Sequence, residues 1–231
     1  MKKIIFAVLI VALIGLAGCQ QQGNVINVDG NSEITVDPDE AEVWAGVSVV
    51  DVSADLAQEE VNKIINDIVD GLRYKGISED DMSTERLSIY EERRWEEGKS
   101  KVVGWRATQI LKIKTTDMNK VGTIVDVAVD NGANQIQNIN FGLSSEKEAE
   151  YKKQAIAEAT KNAKEKAETI ADSLGVRLGK IKTVSTSDYY YRPYAYAMEK
   201  ASGDEAVAEA AVVMPGDVTV TARIILVYGI G

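Results

Sequence analysis

Cys19, the chain's only cysteine, sits in the segment Leu16-Ala17-Gly18-Cys19. A thiol directly behind small residues reads as a bacterial lipobox, in which the cysteine is acylated and becomes the new N-terminus after cleavage ahead of it. The residues before it complete an export signal: Lys2-Lys3, an apolar run from Ile4 to Ile14, then the small-residue cleavage site. A membrane-spanning helix needs about 20 apolar residues. This run stops at Gly18-Cys19, before the polar stretch Gln20-Gln21-Gln22-Gly23-Asn24. The expectation is a signal peptide over 1–18, a lipidated tether over 19–24, and a mature protein held by its lipid on the periplasmic or extracellular face of an envelope membrane.

Other chemistry is bounded by what the chain lacks. It has no histidine, which removes Ser-His-Asp and Cys-His nucleophiles, the common zinc ligand sets and the side chain best suited to proton transfer near neutral pH. Neither Gly-x-Gly-x-x-Gly nor a Walker sequence occurs. No catalytic residue, cofactor or metal site is therefore expected. Two acidic clusters, Glu79-Asp80-Asp81 and Glu91-Glu92 with Glu96-Glu97, could bind a hard cation but lack the spacing of a calcium loop. They read better as a solvated loop and a hairpin tip. A carboxylate pair among them acting as the acid and base of an envelope hydrolase is the competing enzymatic reading. The remaining lead is aromatic: Tyr189, Tyr190, Tyr191, Tyr194 and Tyr196 fall within eight residues, with Arg192 among them. Tyrosine and arginine are residues of interfaces, so this segment is the candidate binding site for an envelope protein or a saccharide.

The elements that must position these groups follow from periodicity. Val25–Gly30 and Ile34–Val36 read as strands around a Gly30-Asn31 turn, and Asp37-Pro38-Asp39 breaks the pattern. Residues 41–52 alternate with apolar side chains on much of both faces, as in a covered central strand. After Ser53, the residues Val61, Ile64, Ile65, Ile68, Val69 and Leu72 form a helical stripe, with Gly76 as its stop. Strands over 84–95 and 101–115 flank a tip at 96–99. Trp95 and Trp105 read as core or cross-strand partners. Asp117 is the expected N-cap of a second helix that ends at Asn131-Gly132. Ile136, Ile139 and Phe141 mark another strand. The order β-α-β-β-α-β over about 41–143 gives an α+β, ferredoxin-like core.

A long helix over about 145–174 extends that core, opened by a capping box at Ser145-x-x-Glu148. Its stripe is Ile156, Ala159, Ala163, Ala167, Ile170 and Leu174, and Glu148–Lys152 and Lys161–Glu165 are i,i+4 ion pairs on its surface. A strand near 180–187 comes next. The tyrosine-rich segment and the Ala/Glu-rich stretch to Val213 then read as too irregular for core. Met214–Asp217 is a turn, and an alternating strand over 218–228 closes the chain.

The net charge of −10 becomes −12 once Lys2 and Lys3 leave with the signal peptide. Nucleic acid binding needs a concentrated basic face, so it is not expected. A single cysteine permits no intrachain disulfide, and about 210 residues suffice for a core without one.

Several short motifs together resemble the SIMPL-domain family, which includes exported oxidative-stress-defence proteins. They are Ile26-x-Val28-x-Gly30, Val36-x-Pro38-Asp39-x-Ala41, Gly76-Ile77 with Thr84, Gly104-Trp105-Arg106-Ala107, Gly132-Ala133 with Ile139-x-Phe141, the Ala-rich 155–171 helix and Pro215-Gly216. They run in order over about 25–230. The resemblance implies an α+β envelope protein with no agreed active site, a tendency to homo-oligomerise (one relative forms a hollow ring) and a role under stress. It transfers no functional residues. On this reading 25–231 is one SIMPL-like domain, or two packed subdomains, 41–143 and 25–40 with 144–231. The lipobox departs from the family's free periplasmic members, and 189–214 matches none of its motifs.

Overall fold

A computed structural model describes residues 23–96, 98–196 and 215–231, without the side chains at 187, 188, 195 and 196. The expected signal peptide, Cys19 and the Ala/Glu-rich stretch lie outside the described residues. The elements are β1 (Val25–Val36), β2 (Glu40–Asp51), α1 (Ala54–Tyr74), β3 (Met82–Glu96), β4 (Lys99–Thr115), α2 (Lys120–Asp130), β5 (Gln135–Gly142), α3 (Ser145–Leu174), β6 (Leu178–Arg192), β7 (Tyr194–Tyr196) and β8 (Val218–Ile230). The fold is α+β. Contacts divide it into two compact units. One holds the described residues up to Ser32 with Ile156–Asp188 and Arg223–Gly231; the other holds Glu33–Ala155 and Tyr189–Ala222.

The larger unit contains the expected ferredoxin-like order. Its sheet runs β3-β4-β2-β5-β7, and β2 pairs antiparallel with both β4 and β5. Helices α1 and α2 pack on β2 and β4. Ala41, Val43, Ala45 and Val47 of β2 meet Val61, Ile68 and Leu72 of α1 and Ile124 and Ala128 of α2 in one core. Ile136 and Ile139 differ by an odd number, so in a regular strand they would face opposite sides. A bulge reconciles them: Ala45 pairs with Ile136 and Trp44 with Asn138, which leaves Gln137 as the extra residue.

Local chemistry sets the helix ends. Ser53 caps α1, its Oγ accepting from the Leu56 N–H at 3.3 Å. At the other end Gly76 takes φ +77°. The Gly76 N–H donates to the Arg73 carbonyl and the Ile77 N–H to that of Leu72, a Schellman motif closed by two buried apolar side chains, Leu72 and Ile77. The N-terminus of α2 departs from expectation. Asp117 forms an Asx turn, its Oδ1 accepting from the Asn119 N–H, so the helix starts at Lys120, two residues later than a cap at Asp117 would place it.

The cap of α3 is also displaced by one residue. Ser144, not Ser145, precedes the helix, and its Oγ accepts from the Lys147 N–H at 3.4 Å. The reciprocal partner is Asp39, which accepts from the Ser144 N–H (2.7 Å) and Oγ (2.8 Å). Glu148 is thereby left for another contact. The buried stripe of α3 is Ala155, Ala159, Ala163, Ala167 and Ala171; Leu174 is 64% exposed.

In the smaller unit Gly30 is not a turn residue, because β1 runs through it. A Cβ at Gly30 would collide with the Ala159 carbonyl and come within 2.7 Å of the Ala163 methyl. Glycine and alanine together let strand and helix backbones touch. The second sheet runs β1-β8-β6, and the β8 residues that fall in this unit bury Ile224, Leu226 and Tyr228.

The β3–β4 hairpin is longer than its sheet. The last β2–β4 pair is Asp51–Trp105, whereas β3–β4 pairing continues to Glu96–Lys99. Residues 92–96 and 99–104 form a two-stranded arm. Trp95 lies opposite Ser100 rather than Trp105 and is 75% exposed. It is neither core nor half of a tryptophan pair.

Candidate binding surface

The tyrosine-rich segment is β-strand, contrary to its reading as an irregular stretch. β6 continues to Arg192, Pro193 interrupts it, and Tyr194–Tyr196 join β5 as the short strand β7. Proline has no N–H for a ladder, so the change of sheet falls where pairing must stop. Strand alternation divides the aromatic cluster: Tyr189 and Tyr191 go to one face, Tyr190 and Arg192 to the other.

On the first face the tyrosines dock against the start of α3. Tyr189 Oη donates to Glu148 Oε1 at 3.1 Å, and Lys152 Nζ stands 4.7 Å from the centre of the Tyr189 ring. The expected Glu148–Lys152 ion pair is replaced by this shared grip on a tyrosine, while Lys161–Glu165 forms at 3.8 Å. Burial, reinforced by the hydrogen bond to Glu148, pushes the Tyr189 phenol well above its ordinary pKa. Tyr191 Oη accepts from the Leu143 N–H at 2.7 Å, beside Gly142, where a side chain would strike the same hydroxyl. Burial raises the Tyr191 pKa as well. Tyr191 also borders a polar cleft of about 230 Å³ with Glu40, Glu42, Lys114, Asn140 and Glu148. Lys114 lies within 3.4 Å of both Glu40 and Glu42, so the one cation of that cleft is already shared between two of its three carboxylates.

The second face is open. Tyr190 is 55% exposed, and the Arg192 guanidinium lies 5.7 Å from its ring centre. With Glu33 of β1 and Thr219 and Thr221 of β8 they line a depression of about 250 Å³. Thr221 Oγ1 donates to the Tyr190 carbonyl at 3.3 Å. Tyr194 belongs to neither face. Its ring packs 6.5 Å from that of Phe141 and fills the space beside Gly216. The Tyr196 backbone pairs with Ile139.

The acidic clusters are placed differently. Glu79-Asp80-Asp81 is one exposed 3₁₀ turn capped by Ser78. Glu91 binds Arg93 at 2.7 Å, Glu96 binds Lys101 at 3.3 Å, and Glu92 is held by both Nε and Nη2 of Arg106. The hydrogen bond from Arg106 keeps the Glu92 carboxyl below its usual range, the opposite of what a general acid needs. Among the described residues no three acidic side chains are grouped so as to hold a metal ion.

Sequence reasoning singled out the tyrosines but not Glu33, Thr219 or Thr221. The signal for the threonines was present, since they are the polar half of an alternating strand. Glu33 was hidden by the turn assigned to Gly30.

An α+β protein with two sheets, the larger of them in a ferredoxin-like unit, is the class these features define. The chain belongs to the SIMPL family, whose model, described as "Protein of unknown function (DUF541)", matches residues 26–228. Its relatives include the "Uncharacterized protein YggE" of Escherichia coli K12, 24% identical over 79% of this chain and 76% of that one. The protein of the same name from Edwardsiella ictaluri is 26% identical over 71% and 68%. The "26 kDa periplasmic immunogenic protein" of Brucella melitensis is 27% identical over 69% of this chain and 65% of its own length. Among the described residues no helix is long and apolar enough to cross a membrane.

Proposed function

We propose that the protein is a non-enzymatic, lipid-anchored envelope protein that works by contact, assembles with copies of itself, and protects or engages envelope components under oxidative or envelope stress. One observation carries this reading: the family match over residues 26–228, shared with a Brucella relative named as periplasmic, in a chain whose residues 1–18 read as a signal peptide cleaved ahead of Cys19. The absence of histidine and the pairing of Glu91, Glu92 and Glu96 with cations support contact over catalysis. Self-assembly is supported by the arm formed by 92–96 and 99–104. An isolated two-stranded ribbon is marginal in water, and this one carries Trp95, Val102 and Val103 exposed, the kind of surface that a partner covers. The stress role comes from the family resemblance.

Two measurements test the proposal. Light scattering on the purified protein in detergent should give a mass of several chains, and a monomer at high concentration would remove the assembly. A strain lacking the gene should be more sensitive to oxidants and envelope-damaging agents than its parent; equal survival would remove the protective role.

A further inference from the structure

We propose that the depression on the open face of β6 and β8 binds a single sugar ring carrying a carboxylate, the repeating unit of an acidic envelope glycan. This deepens the contact role proposed above and rests on export, which puts the depression among envelope glycans.

Charge is the first argument. Arg73, Arg93, Arg106 and Arg223 each lie within 4 Å of a carboxylate. Arg192 is in the depression and, like Arg86, Arg94 and Arg177, has no ion pair among the described residues; of these four its guanidinium alone stands over an aromatic ring, that of Tyr190. A planar fork held over an aromatic face is preorganised for two parallel hydrogen bonds to a carboxylate. Glu33 is the other charge in the lining, so the site as a whole is neutral. It matches a ligand with one negative group on one side and hydroxyl donors on the other. A phosphate dianion would meet one cation and be repelled by Glu33.

Shape and hydrogen bonding agree. The Tyr190 ring is more than half exposed and offers an apolar platform to the C–H face of a pyranose, with its polar tip free. Thr221 spends its hydroxyl proton on the Tyr190 carbonyl, which leaves its oxygen lone pairs to accept from a sugar hydroxyl. Thr219 contributes a second hydroxyl beside it. About 250 Å³ lies below the roughly 300–1,000 Å³ of pockets that bury a drug-sized ligand, so one ring fits rather than a chain. All five side chains stand on strands, which hold a binding geometry more tightly than loops do.

The test is calorimetry on the full-length protein in detergent micelles. The probes are the methyl glycoside of galacturonic acid, the same sugar with its carboxylate reduced to an alcohol, and an acidic tripeptide. The uronate should bind saturably, and the reduced sugar at least about tenfold more weakly, as expected for loss of a charge-assisted contact. Arg192→Gln should weaken uronate binding by a similar factor and Tyr190→Ser should abolish it. Tyr189→Phe, on the opposite face, should leave it unchanged. Melting temperatures of the exposed Arg192→Gln variant and the wild type should coincide, so that lost binding is not lost folding. Absence of uronate binding, unaltered affinity in Arg192→Gln, or a tripeptide that binds as tightly as the uronate would each overturn the proposal. The protein is purified, so a negative result leaves the anchoring and assembly proposals standing.

Discussion

Gly30 shows how much one missing Cβ can decide. Its backbone is extended and would suit any residue, but a methyl group there would overlap the Ala159 carbonyl and crowd Ala163. Overpacking of this kind costs about 1–3 kcal/mol, and here the obstacle is backbone, which cannot rotate away. Gly30→Ala should lower stability by about 2 kcal/mol or more in urea unfolding. Adding Ala163→Gly should restore little, because the carbonyl remains; full recovery would mean that the strand and helix backbones are not in contact. Tyr189 and Tyr191 give a second residue-scale prediction. Both phenols have raised pKa values in the folded state, so the folded protein favours their neutral forms. The stability they contribute is fully present below the unfolded pKa of about 10. It is lost as pH rises above that value, because the unfolded chain releases protons that the folded one keeps. Melting temperature should fall between pH 9 and 11, and the fall should be shallower in the Tyr189→Phe, Tyr191→Phe double variant. Identical slopes would place both hydroxyls in water.

At the scale of elements, the hairpin separates what a strand needs locally from what it needs in the sheet. Pairing with β2 ends at Trp105, so the arm beyond it contributes little to the core. Replacing residues 93–103 by Asn-Gly, which leaves the paired Glu92 and Gly104 flanking a two-residue hairpin loop, should change unfolding free energy by less than about 1 kcal/mol, in the range of surface changes. A larger loss would show that the arm packs on its own subunit. Elements were also where the sequence could be read most directly. The stripe of α1, its Ser53 cap and Gly76 stop, the alternation of β2 and β8, and the bounds of α3 all follow from local periodicity. What escaped was set by distant partners. Asp39 takes the capping role that spacing gave to Glu148, from more than a hundred residues away in sequence. Gly30 looked like a turn because the helix that excludes its side chain comes much later in the chain. The tyrosine strand looked irregular because β5, which receives its end as β7, precedes it by about fifty residues. For the binding surface, the residue types were visible in the sequence, but the split of Tyr190 and Arg192 from Tyr189 and Tyr191 appears only once the segment is a strand.

On the scale of the whole molecule, the family match covers nearly all of the chain after residue 25, and none of the described helices is long and apolar enough to cross a membrane. Residues 19–24 are a short connection between a proposed lipid and β1, so an assembly of anchored copies would present all its tethers to one membrane face. The central claim is that Cys19 is acylated. Metabolic labelling with an alkyne fatty acid, followed by detergent phase partitioning, tests it most directly. The wild-type protein should carry the label and enter the detergent phase, whereas Cys19→Ala should be unlabelled and remain in the aqueous phase. An unlabelled wild-type protein in the aqueous phase, or label retained in Cys19→Ala, would contradict the anchor.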